Sequence, residues 1–216
     1  MRKLLSLASI VLMVLTATAQ QDQKAKSILE NVTRTTQSYS TIQATFDYVM
    51  DNKEAGVHEQ YKGDVVMKGN KYKLKLAELG MEVFCNGKEV WTYMKDANEV
   101  NITSMDGESG EMMNPSKLFT IYETGFNYKF VEEKVIDGKA SYVIDLFPQT
   151  KDIDYSKIRI QIDKDKSVIR KADMVGREGN SFIIKITDFK TNVPVADTLF
   201  GFDKTKFPGV EVIDLR

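Results

Sequence analysis

The chain reads as mainly β (α+β): an incomplete antiparallel β-barrel of about 10–11 strands, with short helices forming a lid over an apolar cavity. Three observations predict it. Apolar and polar residues alternate with period two along most of the chain. The connections between these runs are short and rich in turn residues, which suits a meander and not the helical crossovers of a parallel sheet. A single sheet of that many strands curls or closes, leaving an interior lined by one face of every strand.

The elements follow in order. Arg2 and Lys3 precede an apolar stretch, Leu4 to Leu15, and then Ala17-Thr18-Ala19. A basic start, an apolar run too short to span a bilayer and an A-x-A site predict a signal peptide over residues 1–19, cleaved after Ala19. Residues 20–216 then form one exported, soluble domain, expected in the periplasm. The signal segment takes two of the 30 basic residues, which leaves 28 against 31 acidic and a net charge of −3. No basic stretch argues for nucleic acid.

The first mature element is a predicted helix, with Asp22 as N-cap and Ala25, Ile28, Leu29 and Val32 on one face. Lys24, Lys26, Glu30 and Arg34 take the other face, and the chain turns near Ser38 to Ser40. Ile42, Ala44, Phe46, Tyr48 and Met50 then alternate with polar or small residues as a half-buried strand. A predicted loop, Asp51 to Glu59, holds His58, and Tyr61 to Lys68 follow as a strand. In Lys71-Tyr72-Lys73-Leu74-Lys75-Leu76 three lysines face water and three large apolar groups face inward, an arrangement that excludes a lipid-facing wall.

Met81 to Cys85, Asn86-Gly87 and Glu89 to Met94 read as a hairpin, and Glu99 to Thr103 as a short strand. Asn114, Pro115, Leu118, Phe119 and Tyr122 predict a second helix ended by Gly125. Strands resume at Tyr128 to Val135, turn at Asp137-Gly138, and continue as Ser141 to Phe147, Lys157 to Ile162, Val168 to Val175 and Ser181 to Phe189. Leu199 to Phe202 and Val210 to Leu215 are the last two.

The catalytic inventory is thin. The chain has one His, one Cys and one Trp (His58, Cys85 and Trp91). One Cys makes no internal disulfide, and one His with no C-x-x-C pair offers zinc no cluster. No G-x-S-x-G accompanies His58. The expectation is a binding protein, not an enzyme, without metal or cofactor. Eight methionines remain in the mature chain, and Met suits a surface that repacks around variable ligands.

Gly63-Asp64-Val65-Val66-Met67-Lys68, Tyr72-x-Leu74-x-Leu76 and Asn86-Gly87-Lys88-x-x-Trp91-x-Tyr93 resemble, in that order, the LolA family of periplasmic lipoprotein carriers. Asn114-Pro115-Ser116-Lys117-Leu118-Phe119, Phe200-x-Phe202 and Phe207-Pro208-Gly209-Val210-Glu211-Val212 continue the resemblance, which covers essentially the whole mature chain. It implies that lipoprotein acyl chains enter between barrel and lid, with an inner-membrane release complex as donor and an outer-membrane acceptor. The carrier is expected to act as a monomer. About forty methylenes at ~0.8 kcal/mol each make roughly 30 kcal/mol of exposure that such a carrier must shield.

By the same resemblance the cavity is lined by Phe46, Tyr48, Val65, Met67, Tyr72, Leu74 and Leu76. Trp91 and Tyr93, which share a strand face, join the candidates, with the side they take left open. Ile28, Leu29 and Val32 form one lid face, and Leu118, Phe119 and Tyr122 the other. Family members carry an Arg-Pro pair just after the strand Lys, where this chain has Gly69-Asn70, so the lid latch must differ. Three other readings share these features: a carrier of another amphiphile such as a glycolipid, a lipid- or lipoprotein-sensing envelope-stress regulator, and a packed-core interaction module.

Overall fold

In the computed structural model the described residues are 23–106, 114–115, 120, 122–123, 125–151 and 153–216. The signal segment and Asp22 lie outside them, as do Leu118 and Phe119.

Helix α1 spans residues 23–38. Ala25, Leu29 and Val32 are buried on one side of it, and Lys26 and Glu30 pair at 3.8 Å on the other. Twelve strands follow among the described residues: β1 (Ile42–Asn52), β2 (Val57–Lys68), β3 (Lys71–Leu76), β4 (Met81–Cys85), β5 (Glu89–Met94), β6 (Glu99–Ser104), β7 (Phe126–Ile136), β8 (Lys139–Pro148), β9 (Tyr155–Asp163), β10 (Val168–Gly176), β11 (Asn180–Thr191) and β12 (Glu211–Asp214). They form one sheet in the order β12-β6-β5-β4-β3-β2-β1-β11-β10-β9-β8-β7. The sheet is curved and open, since β7 and β12 each pair on one side only.

Two meanders make up the sheet. The first, β1 to β6, runs outward from the centre. The second starts at the far edge with β7 and returns to the centre with β11. They meet where β1 pairs with β11 over its whole length, from Ile42 opposite Thr191 to Asn52 opposite Asn180. All pairings are antiparallel except the last, in which β12 lies parallel to β6.

Turn chemistry fixes the hairpins. Asp137 (φ 51°) and Gly138 (φ 75°) make the two-residue β7–β8 turn with both centres in the left-handed region. At the β4–β5 turn only Gly87 takes positive φ. Asn86 acts through its side chain, whose Oδ1 accepts from the Lys88 and Glu89 amides at 2.9 Å.

Several expectations need correcting. His58 lies within β2, because β1 and β2 extend into the expected loop and leave only residues 53–56 as the turn. Leu199 to Phe202 do not form a strand: Asp197–Phe200 is a 3-10 helix. The short β12 closes no antiparallel hairpin; it crosses back to the β6 edge. The lysines of β3 do lie on the outer face, where Lys73 pairs with Glu82 at 2.9 Å.

Two apolar cores occupy the inner face, the face on which α1 lies. The first packs Ala25, Leu29 and Val32 of α1 on Ile144 and Leu146 of β8, Ile158, Ile160 and Ile162 of β9, and Ala172 and Met174 of β10. The second spans β1 to β5 and is built on Ile42, Val65, Met67, Tyr72, Val83, Cys85 and Val90. Ile184 of β11 packs against both cores and joins them.

Candidate functional site

Strand register assigns every inner-face side chain of the first meander, because directly paired residues point to the same side of a sheet. Ile42, Met67, Tyr72, Cys85 and Val90 form one row across β1 to β5. Ala44, Val65, Leu74, Val83 and Thr92 form the next, and Phe46, Gly63, Leu76, Met81 and Met94 the third. Tyr48 and Tyr61 pair in a fourth.

Burial falls along these rows. Every member of the first is buried, from 0% exposure at Cys85 to 6% at Met67. In the second Leu74 and Thr92 are half-buried, in the third Phe46, Met81 and Met94, and in the fourth both tyrosines. The inner face is therefore sealed at the β2–β3 turn end and opens toward the β1–β2 turn. The half covered by α1 behaves differently: Ile144, Leu146, Ile158 and Ile160 are all fully buried.

Gly63 has a steric role in the third row. The Phe46 ring lies across it, so that a Cβ at Gly63 would stand 2.2 Å from Phe46 Cζ. Tyr72 is buried with its hydroxyl beside the Cys85 thiol and, among the described residues, without a nitrogen or oxygen partner. Burial pushes the Tyr72 phenol well up, and it raises the Cys85 thiol too, so neither ionises near neutrality. All six methionines among the described residues lie on this side: Met50, Met67, Met81 and Met94 by register, Met105 and Met174 by packing on the two cores.

At the open end an aromatic row crosses the seam between the meanders. Tyr61 stacks on Tyr48 with centroids 6.5 Å apart, Tyr48 on Phe182 at 6.4 Å, and Tyr155 meets Phe182 edge-on at 6.3 Å. The Tyr61 hydroxyl donates to Glu59 Oε2 at 2.8 Å. Burial raises the Tyr48 phenol, with Tyr155 and Glu59 adding to it.

The structure thus places Phe46, Tyr48, Val65, Met67, Tyr72, Leu74 and Leu76 on one face. Trp91 and Tyr93 are not with them. Trp91 pairs with Phe84 and Tyr93 with Glu82, which puts both on the outer face. There Phe84, Tyr93, Phe202 and Phe207 form a separate aromatic cluster, with Tyr93 and Phe207 centroids 4.5 Å apart and Phe202 and Phe207 at 4.6 Å. The C-terminal segment covers β4 and β5 from outside, so these two strands carry apolar residues on both faces and alternation could not assign the side.

The helix residues also sit differently from a lid over β1 to β5. Leu29 and Val32 are buried in the first core, and Ile28 packs against it. Tyr122 is buried with them, and its hydroxyl meets Thr33 Oγ1 at 2.9 Å while Thr33 donates to Glu123 Oε1 at 3.0 Å. Burial pushes the Tyr122 phenol up to about 12. Where family members carry Arg-Pro, Gly69-Asn70 makes the β2–β3 turn, with Gly69 at φ 58°. The flanking Lys68 and Lys71 turn outward and both bind Asp197 at 2.7 Å.

A solved structure shares this architecture. An uncharacterized conserved protein from Thermus thermophilus shares the fold at a TM-score of 0.61 and 14% identity, over 88% of this chain and 99% of that one. The lipoprotein LppX of Mycobacterium tuberculosis aligns at a TM-score of 0.49 and 15% identity, over 79% of this chain and 96% of that one. An uncharacterized protein of Methanocaldococcus jannaschii is 29% identical over 122 residues, 56% of this chain and 34% of that protein, so the chain spans about a third of the length of this curated relative. The family pattern described as outer membrane lipoprotein carrier protein LolA matches residues 37–203, from the end of α1 through all but the last strand. The chain belongs to the LolA family.

Proposed function

We propose that this protein is an exported carrier that shields the acyl chains of lipoproteins on the inner face of β1 to β5 and conveys them across the periplasm. The observation that carries the reading is the burial gradient: one continuous apolar face, sealed at one end and half-exposed at the other, beside a second half already filled by α1. From β11 to β5 this face spans five inter-strand spacings, roughly 24 Å. One leaflet of a bilayer's hydrocarbon core is about 15 Å deep, so an acyl chain has room to lie along it. Half-buried Met50, Met81 and Met94 supply flexible, polarisable contacts that adapt to chains of different length. Binding of this kind needs no covalent chemistry.

The basic and apolar residues before Ala19 support export, and intact-mass measurement of periplasmic protein tests cleavage there. A donor complex at the inner membrane and an acceptor at the outer membrane complete the cycle. The central test is Leu74→Glu. Leu74 is half-buried in the middle of the face, so the variant is expected to stay folded by circular dichroism while uptake of a fluorescent acyl probe falls at least tenfold. Probe uptake unchanged in a folded variant would remove β3 from the site. Unfolding of the variant would favour a packed interaction module.

A further inference from the structure

The open end of the inner face has a chemistry of its own. Tyr48 and Tyr155 flank Phe182, with ring centroids 6.4 Å and 6.3 Å from it. Both tyrosines are half-buried, and neither hydroxyl has a hydrogen-bond partner among the described residues. Tyr155 and Phe182 also line a cleft of about 410 Å³ between the start of β9 and the β10–β11 turn. A surface meant only for hydrocarbon gains nothing from two phenol donors at its mouth, because a hydroxyl desolvated without a partner costs free energy.

The charges around the cleft narrow the ligand further. Asp154 and Glu178 line it, with Arg177 as the one cation among its described residues. Arg177 is turned back on the fold: its amide donates to the Asp154 carbonyl at 2.9 Å and its Nε to the Ile153 carbonyl at 3.0 Å. Glu59 adds a carboxylate beside Tyr61. A net negative rim repels a phosphodiester and accepts an uncharged polar group.

Building on the carrier reading above, we infer that the Tyr48–Phe182–Tyr155 mouth binds the neutral acyl linkage of the cargo, its ester or amide carbonyls, while the chains extend over β1 to β5 toward the sealed end. The rings hold the first methylenes, and the two hydroxyls donate to the carbonyls. Such a linkage occurs in the diacylglyceryl group of an acylated protein and in a free glyceride.

The test compares wild type with Tyr48→Phe/Tyr155→Phe, which keeps the rings and removes both donors. Four probes are used: dipalmitoylglycerol, a dipalmitoylglyceryl-cysteine peptide, dipalmitoylphosphatidylglycerol and the bare hydrocarbon diphenylhexatriene. The variant is expected to lose about tenfold for the glycerol and the lipopeptide and to bind diphenylhexatriene as wild type does. Wild type is expected to bind the phosphatidyl lipid more weakly than either neutral ester. A lipopeptide bound more tightly than the glyceride points to acylated protein as the source, and equal binding points to the linkage alone. Either supports the mouth. Unchanged ester binding in the variant, with the hydrocarbon still bound, overturns the mouth and leaves the carrier reading standing. Preference for the phosphatidyl lipid overturns the neutral linkage. If wild type takes up no probe, both fail. Should the double variant lose its near-ultraviolet circular dichroism, the two single variants, each expected to cost about threefold, carry the same comparison.

Discussion

Gly63 shows how a single residue shapes the apolar face. The place of its missing side chain is occupied by the Phe46 ring, which lies across β2 and is itself half-buried. A methyl group there must displace the whole ring, so Gly63→Ala is expected to destabilise the protein by about 1–3 kcal/mol in urea unfolding. Phe46→Leu in the same background should recover part of that loss. The sequence marks Gly63 as part of a family motif, but only the register opposite Phe46 explains it. Tyr72, Leu74 and Leu76 were legible because their lysine neighbours left one apolar side. Trp91 and Tyr93 were not, since Phe84, Val100 and Ile102 share their outer side while Val83, Cys85 and Val90 fill the inner one. A strand apolar on both faces carries no alternation to read.

Among the elements, the C-terminal segment was the hardest to place from sequence. Its path is set by pairings far apart in the chain: the Glu211 amide to the Asn98 carbonyl at 3.0 Å, the Leu215 amide to the Ile102 carbonyl at 2.9 Å, and Asp197 between Lys68 and Lys71. Local periodicity holds no record of such contacts, whereas the hairpins from β2 to β5 and from β7 to β10 rest on local alternation and turn residues. The two lysines hold the Asp197 carboxyl down to about 2 through hydrogen bonds and charge. A depressed folded pKa contributes stability that is complete above the unfolded value near 4 and is lost as pH falls through about 2. Asp197→Asn is therefore expected to lower the melting temperature at pH 7, with the difference from wild type closing between about pH 4 and pH 2. A constant difference across that range would exclude the pair as its cause.

At the scale of the whole molecule the two meanders differ in how they are filled. The β7–β10 half closes over α1 with fully buried isoleucines, and the β1–β5 half keeps half-buried methionine and aromatic side chains at its open end. Amide exchange is expected to follow that division. Protection should be greatest in β8 and β9 and least at the β1–β2 turn, and addition of an acylated ligand should raise it in β2 and β3. Ligand-induced protection confined to β8 and β9 would place the binding surface elsewhere.

The central seam has a kinetic consequence. β1 is the first strand synthesised, yet one of its edges waits for β11, whose residues follow roughly 140 positions later. Until then an eleven-residue strand, Ile42–Asn52, carries an unpaired row of backbone amides and carbonyls next to a large apolar surface. Such an edge invites pairing with another copy of the chain. Folding of this protein is therefore set by the closure of its longest loop, and the chain is safest if it stays unfolded until its second half has emerged.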